Sequence, residues 1–435
     1  MTMLLSNRRV ALIVLTVILA VSGTFMVMSA RSDATTMDES PHIPSGYTYV
    51  RFLDYRLNPE HPPLLKALSA LPLLALDLNF PTDDERWVSG LNEQWGLGTK
   101  FLYESGNNPD EIVFLARLAP ILLTLLLIIL IFVWASELVG RWWALLPTFL
   151  FALSPNVIAH GHLVTTDLAA TFGVVLSTYL FLRYLMRPSA GRLVAAGVGF
   201  GIAELLKFSL ILLVPYFILI AAVAWVLAVV RHRSDGNFRA HLAEAVRLFI
   251  KRMGSLALVF AIGFLLVYIA YAIVTAGYPL EKQLSDTRGV IAGFTEKPAW
   301  FPGTMDSLVE NPVTRPFAHY VLGLSMVFVR AAGGHTGYFL GMVTNAGWPF
   351  YFPVVFLMKE PLPALLLLVL AGILALRDSS STFFKKNVLS RLSDHLEIFF
   401  AEFALLVFIV IYWVLSVRSP LNIGLRHILP TLPLL

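Results

Sequence analysis

The sequence predicts an all-α polytopic membrane protein with about nine to ten transmembrane helices. Of its 435 residues, 57% are hydrophobic and only 14% are charged, which is more apolar than soluble domains. Several uninterrupted apolar runs are long enough to cross a hydrocarbon core as helices. Because only polar loops separate these runs, we interpret residues 1–435 as a single integral-membrane domain.

The charge balance and the absence of cysteine exclude several kinds of site. The formal net charge is only +4, and the chain has no cysteine. Basic residues sit in short loops between apolar runs, which is the pattern of topology control and not of nucleic-acid binding. Disulfides, thiolate nucleophiles and cysteine-ligated metals are excluded, whereas histidines and carboxylates remain available.

The apolar runs define the predicted helices. Arg8 and Arg9 precede the run from Val10 to Ala30, which we interpret as an uncleaved first span with its N-terminus inside. The later runs are Ile112–Ala135, Trp142–Ala159, Leu168–Met186, Leu193–Val230, Gly254–Ala276, Phe350–Leu376 and Ile398–Val417. Leu193–Val230 would extend about 57 Å as one helix, against a core of about 30 Å, so we predict two crossings with a break near Lys207.

Alternating these spans from an inside N-terminus gives two long outer segments, residues 31–111 and 277–349. The inside loops become 136–141, 187–192, 231–252 and 377–395, all containing arginine or lysine, as the positive-inside rule expects. Within the first outer segment, Pro63–Leu78 is apolar but too short to span. We predict that it lies in the membrane interface, with Lys66 and Asp77 at its edges.

The same alternation places most polar candidate residues on the outer face, which in a Gram-negative cell is the periplasmic side. These residues are Asp38, Glu39, Glu60, His61, His160, His162, Asp167, Lys207, His335, Arg426 and His427. They are scattered over nearly 400 residues of chain, and chance would divide them between the two faces. We therefore expect them to form one outward-facing cavity.

Two acidic motifs in the first outer segment are open to two interpretations. Asp38-Glu39 is either a solvated start to the loop or the position of a general base near the lipid surface. In Asn58-Pro59-Glu60-His61-Pro62-Pro63, the prolines restrict the backbone around Glu60-His61. That restriction would present both side chains rigidly, or would merely lead the chain into the interfacial helix.

The remaining polar motifs have equally open alternatives. His160-Gly161-His162 is either a hydrogen-bonding turn or a pair of imidazoles able to bind a metal. Asp167 either caps the following helix or contributes to a site. Lys207 either extends its ammonium to the interface or binds a lipid phosphate. Arg426 precedes the apolar run His427–Leu435, which is too short to cross a bilayer, and we expect a C-terminally truncated chain.

Taken together, several stretches resemble bacterial members of the protein O-mannosyltransferase-like superfamily, which are phospholipid-carrier-dependent glycosyltransferases of the C-type fold. The stretches are Asp38-Glu39, Ser45-Gly46-Tyr47, Arg56 to Leu64, Ser154-Pro155-Asn156, His160 to Asp167, Leu206 to Ser209, Gly334 to Gly341, Phe352 to Pro363 and Asn422 to His427. Their order and spacing carry the resemblance over nearly the whole chain.

The resemblance implies a role for each matched residue. Asp38 is the catalytic base and Glu39 its partner. A divalent metal ion of unknown identity would be held by Glu60 and Asp38, with His335 as a further ligand, and no organic cofactor is implied. Substrate-binding residues, mostly for the phosphate of the carrier, are His61, Asp167, Lys207, His335, Arg426 and His427.

The implied activity is transfer of a sugar, with inversion, from a polyprenyl-phosphate carrier to a hydroxyl of a protein, lipid or glycan. The implied location is the bacterial inner membrane, with the site facing the periplasm and membrane lipid around it. The alternative is a secondary transporter or lipid flippase, for which Glu204 and Lys359 are the candidate buried charges. Transporters place such residues near the midplane and carry internal repeats, and no repeat is visible here.

Overall fold

A computed structural model of the chain describes residues 2–231, 238–383, 396 and 398–435. Over these residues the regular secondary structure is helical apart from one small hairpin. Six of the described helices are long and apolar enough to cross a membrane, or up to eight spans if each of two bent helix pairs counts as one. The predicted fold class, an all-α polytopic membrane protein, is confirmed.

The described helices are α1 (Thr2–Ser32), α2 (Glu39–Arg51), α3 (Leu64–Ala70), α4 (Glu85–Val88), α5 (Gln94–Thr99), α6 (Pro109–Val139), α7 (Arg141–Ala152), α8 (Pro155–Gly161), α9 (Thr166–Met186), α10 (Ala190–Leu206), α11 (Leu213–Arg231), α12 (Phe238–Val274), α13 (Leu280–Ala292), α14 (Phe301–Glu310), α15 (Arg315–Gly333), α16 (Tyr351–Lys359), α17 (Leu362–Phe383) and α18 (Phe400–Arg418). Short 3₁₀ segments cover Leu71–Ala75, Phe208–Leu212 and Leu425–Leu434, and Lys100–Glu104 forms a π-helical turn. Strands β1 (Gly337–Phe339) and β2 (Met342–Thr344) pair antiparallel.

The structure has fewer clear spans than the nine to ten expected, because two predicted spans are bent and α10 is short. The axes of α7 and α8 differ by 63°, and those of α16 and α17 by 115°. Pro155 and Pro361 lie at these two breaks, where a residue without a backbone N–H interrupts the helical ladder. α10 has only 17 residues, or about 26 Å of helix, at the lower limit for a crossing. Residues 232–237 and 384–395 of the predicted inside loops lie outside the described residues.

The predicted break at Lys207 is confirmed. α10 ends at Leu206, and Lys207 takes an extended conformation with φ of −159°. A second apolar helical stretch then runs from Phe208 to Arg231. The break turns the Lys207 side chain out of the helical path, so that it can reach the start of a neighbouring helix.

The first outer segment is built from α2 to α5 around its own aromatic core. Tyr47 stacks on Phe101 at 5.4 Å and on Phe80 at 6.0 Å. The predicted interfacial helix is present as an apolar helical stretch from Leu64 to Ala75. Its expected edge residue Lys66 is instead fully buried, because α3 packs this face against α2 rather than leaving it at the interface.

The second outer segment contains α13, α14, α15 and the hairpin, and it contacts the first. The N–H of Gly277 donates to the carbonyl of Leu53 at 2.9 Å, and the Lys282 ammonium donates to the carbonyl of Gly90 at 2.8 Å. A side chain at Gly277 would lie 2.1 Å from the oxygen of Phe52. The close approach of the two backbones therefore depends on glycine at this position.

The start of α9 is the point where distant parts of the chain meet. α9 packs against α6, α10 and the Leu425–Leu434 segment. In its most apolar stretch of 18 residues, 72% of the residues are buried. Its N-terminus therefore lies beside the C-terminal 3₁₀ segment and close to the break after α10. This arrangement sets the positions of the charged side chains described next.

Candidate active site

Asp38 and Arg426 are 388 residues apart in the chain and form an ion pair. Asp38 immediately precedes α2, and Arg426 lies at the beginning of the C-terminal 3₁₀ segment. Both side chains are about one-third exposed, at 33% and 31%. Arg426 also donates through Nε to the carbonyl of Ile423 at 3.2 Å. The Asp38 carboxylate is therefore held in place by a cation while one side remains open to a substrate.

Asp167 and Lys207 form a second ion pair, with Nζ 2.7 Å from Oδ1. Thr165, not Asp167, occupies the N-cap position of α9, without a capping side-chain bond. Of the two interpretations of Asp167, the structure therefore shows a carboxylate directed at Lys207 and no cap. Burial lowers the pKa of Arg426, but the charges of Asp167 and Asp38 raise it by more, so the net shift is upward. The two ion pairs thus belong to one electrostatic cluster.

Glu39 points away from Asp38 and is completely buried. Its carboxylate accepts from Nε of Arg117 at 2.8 Å and from Nη2 at 2.7 Å. It also accepts from the N–H of Thr36 at 2.9 Å and from the N–H of Val164 at 3.1 Å. Burial raises the pKa of Glu39. The hydrogen bonds and charge of Arg117, together with the two N–H groups, lower it by more, so the net shift is downward.

The Glu39–Arg117 pair fastens the first outer segment to α6 and to the end of α1. Arg117 belongs to α6 and also donates to the carbonyls of Ala30, Asp33 and Ala34 at the end of α1, at distances between 2.8 and 3.0 Å. The catalytic role predicted for Glu39 stays a prediction. With no exposed surface, its carboxylate is placed to orient Asp38 and not to touch a substrate.

The Asn58–His61 turn is held by an extended set of hydrogen bonds. Asn58 has a φ of 55°, in the left-handed region that asparagine tolerates better than most residues. Glu60 accepts from the side-chain amide of Gln94 at 2.5 Å and from that of Asn92 at 3.2 Å. The prolines alone therefore do not fix this turn, because amide side chains from the later part of the segment also bind it.

The buried ammonium of Lys66 also binds the Asn58–His61 turn. Its ammonium lies 2.6 Å from Oδ1 of Asn58, 3.0 Å from the Asn58 carbonyl, 2.9 Å from the His61 carbonyl and 2.8 Å from the Tyr49 hydroxyl. The Tyr49 hydroxyl gives its own proton to the Leu57 carbonyl at 2.6 Å. Burial lowers the pKa of Lys66, and the Glu60 charge opposes that shift. All four contacts are acceptors, and therefore the geometry fits a protonated amine.

His61 is linked electrostatically to Lys207 of the second ion pair. Burial lowers the pKa of His61, and the charges of His42, Lys66, Lys207 and Arg330 lower it further. His42, which the sequence reasoning passed over, packs edge-on against His61 with ring centroids 5.0 Å apart. The Glu60–His61 turn therefore lies within electrostatic reach of Lys207, on the same side of the molecule.

The other predicted histidines take different positions. His427 stacks on Phe352 with centroids 5.4 Å apart, and burial together with the Lys207 and Arg426 charges lowers its pKa to about 4. His335 is exposed before the hairpin and contacts the neighbouring carbonyl of Thr336 at 2.7 Å. Within the described part of the chain, no bond joins His335 to another predicted site residue.

The His160-Gly161-His162 motif forms a hydrogen-bonded turn. Nε2 of His162 lies 3.1 Å from Asp33, and Nδ1 lies 3.0 Å from the carbonyl of Ile158. Both nitrogens of this ring are therefore occupied by the protein itself. Of the two interpretations of the motif, the structure shows the hydrogen-bonding one for His162, whereas the buried Nδ1 of His160 has no partner among the described residues.

The donor set expected for a metal ion is not assembled in the described residues. No group of three or more histidine, aspartate or glutamate side chains among them is placed to hold a metal. The Glu60 oxygens accept from two amides, and Asp38 accepts from Arg426. A metal at Glu60 and Asp38 therefore stays a prediction, and no step of the reaction is derived through it.

The sequence analysis gave no role in the site to three residues that organise it. His42, Lys66 and Arg117 are each buried, at 4%, 0% and 0% exposure. Arg117 carried a usable signal, because a charge within an apolar run is costly unless it is paired. His42 lies among ordinary polar residues and gave no such signal, and Lys66 was expected only at the edge of the interfacial helix.

Residues 111–250 match the family model described as dolichyl-phosphate-mannose-protein mannosyltransferase. The matched range contains Arg117, Asp167 and Lys207, whereas Asp38, Glu60 and Arg426 lie outside it. No curated protein and no solved structure matches the chain in the corresponding comparisons. The family match covers about a third of the chain and agrees with the resemblance seen in the sequence.

Proposed function

We propose that this protein transfers a sugar from a polyprenyl-phosphate carrier to a hydroxyl group on a protein, lipid or glycan, at the periplasmic face of a bacterial inner membrane. The observation that carries the proposal is the convergence of Asp38, Asp167, Lys207 and Arg426. These four residues come from the starts of two helices, a helix break and the C-terminal segment. One partly exposed acid, Asp38, and one buried acid, Asp167, beside two cations suit a reaction that needs both a base and an anion site.

Asp38 is the general base of the proposed reaction. A general base must be ionised and must reach the hydroxyl within hydrogen-bonding distance. Asp38 pairs with the Arg426 guanidinium, and the 33% exposure of its side chain leaves an oxygen accessible. Glu39 is excluded from direct contact by its burial, although it lies next to Asp38 in the chain.

Lys207 and Arg426 bind the carrier phosphate in this mechanism. A guanidinium can engage two phosphate oxygens, and an ammonium acts as a compact positive charge. The phosphate leaves as an anion, so fixed cations stabilise the charge that develops on it. Lys207 is 14% exposed and bonded to Asp167, so an incoming phosphate would share this cation with the acid.

The reaction needs only one displacement at the sugar. The acceptor oxygen forms a bond to the anomeric carbon while the bond from that carbon to the phosphate oxygen breaks. The proton of the acceptor passes to Asp38, and the bonding electrons leave with the carrier phosphate. One displacement from the opposite face inverts the anomeric centre.

The test compares two carboxylates in similar surroundings. Asp38→Asn removes the proposed base, whereas Asp306→Asn removes a carboxylate of similar exposure, 29%, from an Arg288 ion pair elsewhere on the outer segments. Each purified variant is incubated with a panel of labelled polyprenyl-phosphate sugars and periplasmic extract, and labelled products are identified. We expect Asp306→Asn to transfer normally and Asp38→Asn to fold but lose transfer.

Retained transfer by Asp38→Asn would remove the base assigned here. A second measurement addresses the transporter or flippase alternative, using wild-type protein in proteoliposomes. Movement of a lipid or solute across the bilayer with no glycosyl product from any donor would favour that alternative.

A further inference from the structure

His42 lies directly beside the proposed base. It is four residues after Asp38, and its backbone N–H donates to the backbone carbonyl of Asp38 at 3.2 Å. Residues four apart in a helix share one face, and therefore Asp38 and His42 lie on the same side of α2. The His42 side chain is 4% exposed, so it is built into the protein and is not a surface histidine.

The hydrogen bonding of His42 fixes its tautomer. Nδ1 lies 2.7 Å from the carbonyl of Val164. A carbonyl only accepts, so Nδ1 carries the proton and Nε2 of the neutral ring presents a lone pair. Burial and the Lys66 charge lower the pKa of His42, outweighing the opposing effects of the Val164 carbonyl, Asp38 and Glu60. The shift favours the neutral ring.

The remaining nitrogen, Nε2, has no hydrogen-bond partner among the described residues. It is not among the buried side-chain atoms that lack a partner, so it reaches a solvent-accessible space in which a water or a ligand can bind. The groups acting on this ring are Asp38 and Glu60, the two proposed site acids, together with Lys66 and the edge-packed His61. A free acceptor thus lies between the proposed base and the Glu60–His61 turn.

We propose that Nε2 of His42 accepts a hydrogen bond from a hydroxyl group of a substrate. The hydroxyl belongs either to the transferred sugar or to the acceptor molecule. An anionic phosphate oxygen does not fit, because it would face a lone pair and not a donor. This inference rests on the proposed function and adds a substrate contact that would orient a hydroxyl relative to Asp38.

Two substitutions separate the two nitrogens of the ring. His42→Asn places an amide N–H near the position of Nδ1, so it can retain the Val164 contact while deleting Nε2. His42→Gln reaches the position of Nε2 with an amide group and gives up the Val164 contact. His162→Asn is the matched control, since His162 is equally buried but both of its nitrogens are bound within the protein.

The experiment measures transfer kinetics, with donor and acceptor varied separately, and thermal stability in detergent. We expect His42→Asn to remain folded and to lose roughly tenfold or more in kcat/KM, since it leaves a substrate hydroxyl unpaired. We expect His42→Gln to be less stable but to retain more transfer. His162→Asn should change stability without that loss in kcat/KM.

The outcomes identify the hydroxyl and can overturn the proposal. A loss confined to the donor KM, absent with a donor lacking one sugar hydroxyl, places the contact on the sugar. A loss confined to the acceptor KM places it on the acceptor. The reverse order, with His42→Asn active and His42→Gln inactive, would show that only the Val164 contact matters. Absence of transfer by the wild-type protein would instead count against the proposed function.

Discussion

The Glu39–Arg117 pair gives the sharpest stability prediction. Arg117→Met removes the guanidinium but keeps a long apolar side chain. It leaves the Glu39 carboxylate, with 0% exposure, without its cation, and leaves the carbonyls of Ala30, Asp33 and Ala34 without a donor. Breaking a buried ion pair on one side costs about 3–5 kcal/mol. We expect a loss of at least about 3 kcal/mol in unfolding free energy.

The assay is unfolding in mixed micelles, followed by circular dichroism as the denaturing detergent fraction rises. Arg288→Met is the control, because it breaks a pair that is 58% exposed on the arginine. Water and salt screen exposed charges, and therefore this variant should unfold almost like the wild type. In the double variant Glu39→Gln/Arg117→Met, the loss should be smaller than the sum of the two single losses, since no charge is left buried.

The same pair predicts a pH dependence. The pKa of Glu39 is lowered in the folded protein from its usual value of 4.5. The pair therefore contributes full stability above about pH 4.5 and loses it as the pH falls through the lower, folded pKa. Glu39→Gln should remove this part of the acid dependence. An Arg117→Met variant as stable as the wild type, with unchanged acid dependence, would refute the assignment of this pair as the fastening of the outer segment.

Three further predictions concern other parts of the fold. Lys66→Met should lower the unfolding free energy by about 1–3 kcal/mol for each buried oxygen that finds no new donor. The same detergent titration measures this loss, and an unchanged midpoint would mean that the Asn58–His61 turn is stable without Lys66. Gly46→Ala would place a methyl group 2.2 Å from the Lys66 carbonyl oxygen and should cost about 1–3 kcal/mol or more through overpacking, whereas Gly254→Ala, with open space around it, should be tolerated. Glu204→Gln should keep its bond to Tyr320, 2.8 Å long in the wild type, and should leave sugar transfer unchanged; loss of a transport activity in this variant would instead support the transporter alternative.

The sequence alone determined the membrane-spanning character of the chain and the break at Lys207. These features follow from the local succession of apolar and charged residues, and they need no knowledge of which helices are neighbours. The number of spans was less predictable. Whether a proline bends a helix by 63° or by 115° depends on what packs on either side of it.

The sequence also selected residues on the first outer segment, but without the family resemblance its motifs did not separate Asp38 from Glu39. The two acids are adjacent and chemically alike. Successive helical residues point about 100° apart, so in the folded protein Asp38 faces Arg426 while Glu39 faces Arg117. The first acid remains partly exposed and the second is buried. Only the position of α2 among its neighbours decides which of them can meet a substrate.

The pairing of charges was likewise decided by the tertiary structure. The partners in the Asp38–Arg426 and Glu39–Arg117 pairs are 388 and 78 residues apart, and any of several cations would have satisfied the pattern of the sequence. His42 gave no signal because its importance comes from a carbonyl 122 residues away, which fixes one nitrogen and leaves the other free. Hydropathy accumulates along the chain and can be read locally, whereas a hydrogen bond depends on two groups that only folding brings together.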